Sequence, residues 1–202
     1  MHIVGLNIDL ECTSLKAAIE QQRTARLQRA ETIAHKLATL GFPDTLEGAT
    51  KIANGAILGR PHFARFLVES GQVKTISIAF KKFLGQGKPG DVRENWPAME
   101  TVIGWISTAG GKAILAHPGK YKLSNLRLQE LTKEFGEAGG QGLEVISGKQ
   151  DEALTSRLGK LCQQHGLLAS AGSDFHQPGQ SWAELGNVKA LPAGCTPVWE
   201  NW

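Results

Sequence analysis

The feature that most constrains this chain is a regular alternation in its second half. Residues 112–116 (KAILA), 142–147 (GLEVIS) and 167–171 (LLASA) read as short apolar strands. Residues 97–108, 124–138 and 150–165 read as the helices that precede each of them. Short apolar runs separated by helices of this length specify parallel βα units. The expected fold class is therefore α/β. A further apolar run at residues 3–8 (IVGLNI) is expected to join the same parallel sheet. It opens the sequence with no helix before it, as a strand from the middle of a domain would.

Between that first run and the alternation lies a different kind of sequence. Residues 15–40 are expected to form one helix, with Leu27, Ala30, Ala34, Leu37 and Ala38 at helical spacing and Gly41 as its stop. Residues 42–95 contain shorter helical segments (TLEGATKIAN, RPHFARFLVESG and the stretch around ISIAFKKFL) punctuated by Gly and Pro. This divides the chain into an α/β part, residues 1–41 and 96–202, and a helical insertion subdomain, residues 42–95. Residues 177–202 read as irregular.

Several chemistries are excluded early. The net charge of +3 suits an anionic substrate but is too weak to indicate a nucleic-acid surface by itself. Cys12, Cys162 and Cys195 are scattered with no CxxC pair, which argues against a disulfide framework or a cysteine zinc site. Gly110-Gly111-Lys112 lacks the spacing of a phosphate-binding P-loop, and no GxSxG nucleophile turn occurs. The tryptophans are not interleaved with Lys or Arg as a base-stacking platform requires. The first residues lack the basic start of a signal peptide, and no apolar run is long enough to span a bilayer. The expected location is cytoplasmic, with no membrane partner.

The chemistry that remains sits at strand ends. His117 follows AILA directly, and Asp174 and His176 follow LLASAG. In parallel α/β barrels the loops after the strands build the active site. Positions i and i+2 of an extended segment project to one side, so Asp174 and His176 could bind a divalent transition metal together. The competing reading is a surface loop with an incidental histidine. His2 stands just before the first strand, where a frayed terminus is the bland alternative. Arg60 and His62 stand where a turn enters a helix, either a phosphate site or an ordinary capped surface helix. Arg26 and Arg29 lie near the apolar face of the long helix, where an inward Arg needs an anionic partner, a carboxylate or a substrate phosphate. Glu144 lies inside its strand. His35 and His165 read as solvated helix residues.

Taken together, AILAHPGKY, GLEVIS, ASAGSDFH and LGRPHFARFLVESG resemble the C-terminal motifs of the PHP (polymerase and histidinol phosphatase) family. HIVGLNID and RLQRAETIAHKL resemble one branch of it, the nucleotide 3′,5′-bisphosphate phosphatases and the 5′-to-3′ exoribonucleases that trim ribosomal RNA. The resemblance covers residues 2–198. It implies the C-terminal part of a distorted PHP-type β/α barrel that binds a cluster of divalent cations, commonly Mn²⁺, with Fe²⁺, Zn²⁺ or Mg²⁺ as other candidates. By position it implies His2, His117, Asp174 and His176 as metal ligands and Arg60, His62, Arg26 and Arg29 as substrate-phosphate contacts. Glu144 is implied to support the site rather than to hold metal. The implied partner is a nucleotide or a short RNA or DNA with a terminal phosphate.

The family's HxHTxxSDG, DHD and GxEIS motifs do not occur in this sequence. A full barrel of this kind runs to about 250 residues or more. The sequence is therefore expected to be a truncated phosphoesterase, inactive as it stands. The alternatives are another PHP phosphatase, such as the histidinol phosphate type, and a non-catalytic fragment.

Overall fold

The computed structural model describes all 202 residues apart from 94, 95, 176–178, 180, 182 and 201. Its packing divides into two units, Met1–Lys16 with Pro97–Trp202, and Ala17–Trp96.

The first unit is a four-stranded sheet with helices. Strand β1 is Ile3–Leu6, β2 Lys112–Leu115, β3 Gly142–Ser147 and β4 Leu168–Gly172, in that spatial order. β2, β3 and β4 run parallel, as the alternation specifies. Helices α5 (Met99–Thr108), α6 (Asn125–Glu137) and α7 (Glu152–His165) precede them in turn. (Helices α1 to α4 belong to the intervening segment described below.) β1 corrects the expectation of an all-parallel sheet: it pairs antiparallel to β2, with Ile3 opposite Leu115 and Leu6 opposite Lys112. The physical reason is the connection. Between β1 and β2 the chain makes a long excursion through a separate helical unit, so the handed βαβ crossover that forces parallel neighbours does not apply. An antiparallel edge strand on a parallel sheet is a common solution.

Burial explains the strands. β3 is buried along nearly its whole length, as a strand covered on both faces must be. Leu115, Leu143, Val145, Phe135 and Ala169 are fully buried together in one apolar cluster. α6 starts where the Ser124 side chain accepts from Arg127 N–H at 3.2 Å, satisfying a helix-end donor. α7 stops at Gly166, whose positive φ of 62° suits glycine. Part of the tail read as irregular is tied to the sheet. Ala169 N donates to Thr196 O at 2.8 Å and Val198 N to Ala169 O at 2.9 Å.

The second unit is helical. It takes most of α1 (Thr13–Thr39), with α2 (Thr45–Ala53), α3 (Arg60–Glu69) and α4 (Ile76–Ala79), which runs into a π-helical turn at Phe80–Leu84. Its core gathers Ala30, Ile33 and Leu37 of α1 with Phe63 and Leu67 of α3 and Leu84. The inward stripe of α1 is thus Ala30–Ile33–Leu37. Leu27 and Ala38, expected on it, are exposed. At Gly48 of α2 any Cβ would lie 2.0 Å from the Phe66 ring, so the α2–α3 approach requires glycine.

The two ends of α6 burial give a direct test. Phe135 is fully buried, whereas Leu126 on the same helix is 68% exposed. Phe135→Ala should destabilise by about 3–5 kcal/mol through lost burial and a cavity. Leu126→Ala should stay within about 0.5 kcal/mol. Urea unfolding of both variants checks the assignment of the core.

Candidate metal and phosphate site

The sheet topology brings separate sequence positions to one end. β2 and β4 are both parallel to β3, so His117 and Asp174, which follow β2 and β4, lie at the same end. Because β1 is antiparallel, its N-terminal end lies there too, and His2 joins them. Ala116 N donates to His2 O at 3.0 Å, continuing the ladder. His2 Nδ1 and His117 Nε2 stand 3.0 Å apart, with their rings edge to face at 4.8 Å between centroids.

Tyr121 and Glu144 hold this arrangement. The Tyr121 hydroxyl donates to Ala116 O at 2.7 Å and accepts from His2 N at 2.9 Å. Burial raises the pKa of that phenol. The Glu144 carboxylate accepts from the His117 backbone N–H at 2.5 Å. Burial pushes its carboxyl above the ordinary carboxylate value, the His117 donor acts against that, and the nearby Asp174 charge adds to it. Gly172 makes room for it, since a Cβ there would lie 2.6 Å from Glu144 Oε1. His117 itself sits at φ 33°, ψ 53°, and Asp174 at φ 54°. Both are left-handed conformations that non-glycine residues hold only when the surroundings over-determine them.

Asp174 therefore does not sit in an extended segment, contrary to the reasoning that paired it with His176. It forms an ion pair with Lys120. His176 lies outside the described residues. Burial lowers the pKa of His2, with the His117 ring next in effect, so its imidazole favours the neutral, ligating form.

The donor chemistry fits a divalent cation. Two imidazole nitrogens bound to one metal at about 2.0–2.1 Å stand about 3.0–3.4 Å apart, the spacing seen here. His117 Nδ1 is buried with no hydrogen-bond partner among the described residues. Among the described residues, however, no three His, Cys, Asp or Glu side chains gather as a complete ligand set.

The phosphate candidates lie in the helical unit and are engaged locally. Arg60 Nη1 donates to Leu84 O at 3.2 Å and to Asp91 Oδ1 at 3.3 Å. Asp91 also accepts from Gly87 N at 2.8 Å, so the pair ties a loop to the start of α3. His62 Nδ1 accepts from Gly59 N at 3.1 Å, capping its own helix. Arg29 Nε donates to Val92 O at 3.0 Å, and the Arg26 guanidinium lies over Trp96. Sequence reasoning missed Lys120 and Tyr121, which the AHPGKY segment carries, and gave Glu144 less weight than its bond to His117 warrants. His165, read as solvated, is half-buried, with Nε2 lacking a partner among the described residues.

No protein-family model matches the chain. Four curated relatives match it along its whole length, among them two of different names. The 5′-3′ exoribonuclease Rnm of Escherichia coli is 45% identical over 202 residues, 69% of its own length. The 3′,5′-nucleoside bisphosphate phosphatase of Chromobacterium violaceum is 40% identical, covered to 71%. Among solved structures, an amidohydrolase from Chromobacterium violaceum with bound sulfate superposes with a TM-score of 0.78 at 40% identity. The match covers 98% of this chain and 69% of that one. A protein from Bifidobacterium adolescentis assigned as a metal-dependent phosphoesterase gives a TM-score of 0.69 at 25% identity, covering 98% and 68%. The chain thus belongs to the PHP family of metal-dependent phosphoesterases, in the branch of the exoribonuclease Rnm and the 3′,5′-nucleoside bisphosphate phosphatase.

Proposed function

We propose that the protein acts on nucleotide 3′,5′-bisphosphates, on 5′-phosphorylated RNA ends trimmed 5′ to 3′, or on both, in the cytoplasm. The observation that carries this reading is the His2–His117 pair, two imidazole nitrogens 3.0 Å apart at the end of the sheet. His2, His117, Asp174 and His176 are the proposed metal ligands. A bound divalent cation, Mn²⁺ first, would act as a Lewis acid on the phosphoryl oxygens and stabilise the charge that develops there. Glu144 holds the His117 backbone, and Tyr121 holds the His2 backbone, so both imidazoles are oriented before a substrate arrives. Lys120, paired with Asp174, places a cation where an anionic substrate would approach.

The substrate contacts proposed are Arg60, His62, Arg26 and Arg29. A guanidinium has five N–H donors. The bonds of Arg60 to Leu84 O and Asp91 Oδ1 both use Nη1, and the guanidinium carries further donors for a phosphate. The four strands are proposed to form part of a distorted β/α barrel, the architecture of the family. Taken alone, the chain is proposed to turn over slowly at best, because the HxHTxxSDG, DHD and GxEIS motifs do not occur in its sequence.

Two experiments test this reading. Arg60→Ala should weaken binding of adenosine 3′,5′-bisphosphate by about tenfold or more, the range for losing a hydrogen bond to a charged group. It should leave metal content unchanged by mass spectrometry of the holoprotein, and loss of metal instead would assign Arg60 a structural role. Second, the chain purified with Mn²⁺ should release phosphate from the bisphosphonucleotide far more slowly than the Escherichia coli exoribonuclease assayed beside it. Equal rates would show that these residues already form a complete site. Turnover of histidinol phosphate with none of the nucleotide would replace the substrate assignment.

A further inference from the structure

One of the proposed metal ligands already carries a cation of its own. The Lys120 ammonium pairs with Asp174 through Oδ2. Lys120 stands on the short turn Pro118–Tyr121, between His117 and Tyr121. The backbone of that turn is fixed. Lys120 N donates to His117 O at 2.9 Å, and at Gly119 a Cβ would lie 2.6 Å from Leu154 Cδ2. The side chain is held differently: it is 52% exposed, on a long and flexible stem, whereas that of Asp174 is 23% exposed. Tyr121 and Glu144 brace the site through bonds to backbone groups, and Lys120 touches it through charge. Beyond burial and the His117 contacts, the Asp174 and Lys120 charges also bear on the Glu144 carboxyl. The ammonium thus stands among the groups of the site and not outside them.

An ammonium and a divalent cation make the same demand on a carboxylate. The Lys120–Asp174 pair is electrically neutral as it stands. A cation ligated by Asp174 adds two positive charges beside the ammonium, and like charges this close repel. This holds whatever the other carboxylate oxygen meets, because the repulsion acts between the cations themselves. Lys120 relieves it by turning to an incoming phosphate oxygen, which a flexible stem with three donors on its head permits. The turn costs little, since a partly exposed ion pair contributes little stability. We propose that Lys120 is an exchange residue: it gives up Asp174 when the cation binds and takes a phosphate oxygen instead, so that cation and phosphate each favour the binding of the other. The inference rests on the metal-site reading and deepens it: Lys120 penalises the cation bound without phosphate, and by linkage the phosphate bound without the cation.

Electron paramagnetic resonance of free Mn²⁺ reads cation binding without turnover. The chain is titrated with Mn²⁺ alone and with inorganic phosphate present, each against a protein-free control. Phosphate should tighten Mn²⁺ binding to the unsubstituted chain by about fivefold or more, the lower range of coupling between two sites. Lys120→Met should bind Mn²⁺ alone about threefold to fivefold more tightly, the worth of a partly exposed pair, and lose most of the phosphate effect. Lys120→Arg, which keeps the charge, should retain most of that effect. Weaker Mn²⁺ binding by Lys120→Met would make Lys120 a brace for Asp174 and overturn the proposal. Unchanged Mn²⁺ binding, or a phosphate effect that survives the substitution in full, would overturn it too. So would the lack of any tightening by phosphate in the unsubstituted chain, an arm that needs no variant to fold. All of these results leave the metal-site reading intact. Failure of the unsubstituted chain to bind Mn²⁺ at all would overturn that reading, and this proposal with it.

Discussion

Ala116 N donates to His2 O at 3.0 Å, extending the antiparallel β1–β2 ladder one rung beyond the Ile3–Leu115 pair. The candidate metal site depends on this ladder. Each rung is a backbone hydrogen bond, worth about 1 kcal/mol net. Together the rungs fix the register of an edge strand whose first residue carries an imidazole. A parallel β1 would send His2 to the opposite end of the sheet. The antiparallel one brings it against His117, which itself is held by Glu144 in a backbone conformation that few non-glycine residues adopt. Sheet direction, strand register and the chemistry of the site are thus one constraint.

Much of the fold was legible in the sequence, and the misses have specific causes. β2, β3 and β4 with their preceding helices appear within two residues or so of their expected bounds, because buried parallel strands are continuous apolar runs and helices carry stop signals such as Gly166. The direction of β1 was not legible. IVGLNI reads the same whether its partner runs parallel or antiparallel, and the deciding connection passes through a second packed unit. The inward stripe of α1 was legible at Ala30 and Leu37 but not at Leu27 and Ala38, because alanines populate several faces of that helix and contrast is low. Of the site residues, His117 and Asp174 were readable as strand-end polar groups. The support from Tyr121 and Glu144 was not, since a hydroxyl or carboxylate bonded to backbone leaves no spacing signature.

The helical unit shows the same limit in another form. Arg26 of α1 and Trp96 of a distant segment meet only through packing. Arg60 and His62, by contrast, stood out in sequence, and the structure finds them capping and bracing α3. A residue that braces a helix start can also present spare donors to a phosphate, and that second role is the one proposed for Arg60.

The central claim is that His2 and His117 ligate one cation as a pair. Two-dimensional ¹H–¹⁵N spectroscopy of the histidine side chains during a Zn²⁺ titration tests it most directly, since this diamagnetic ion preserves the signals. The account predicts that His2 Nδ1 and His117 Nε2 shift together, at the same metal ratio, to values typical of ligated nitrogen, while the exposed His35 stays unchanged. A shift at one of the two without the other, or at neither, would contradict it.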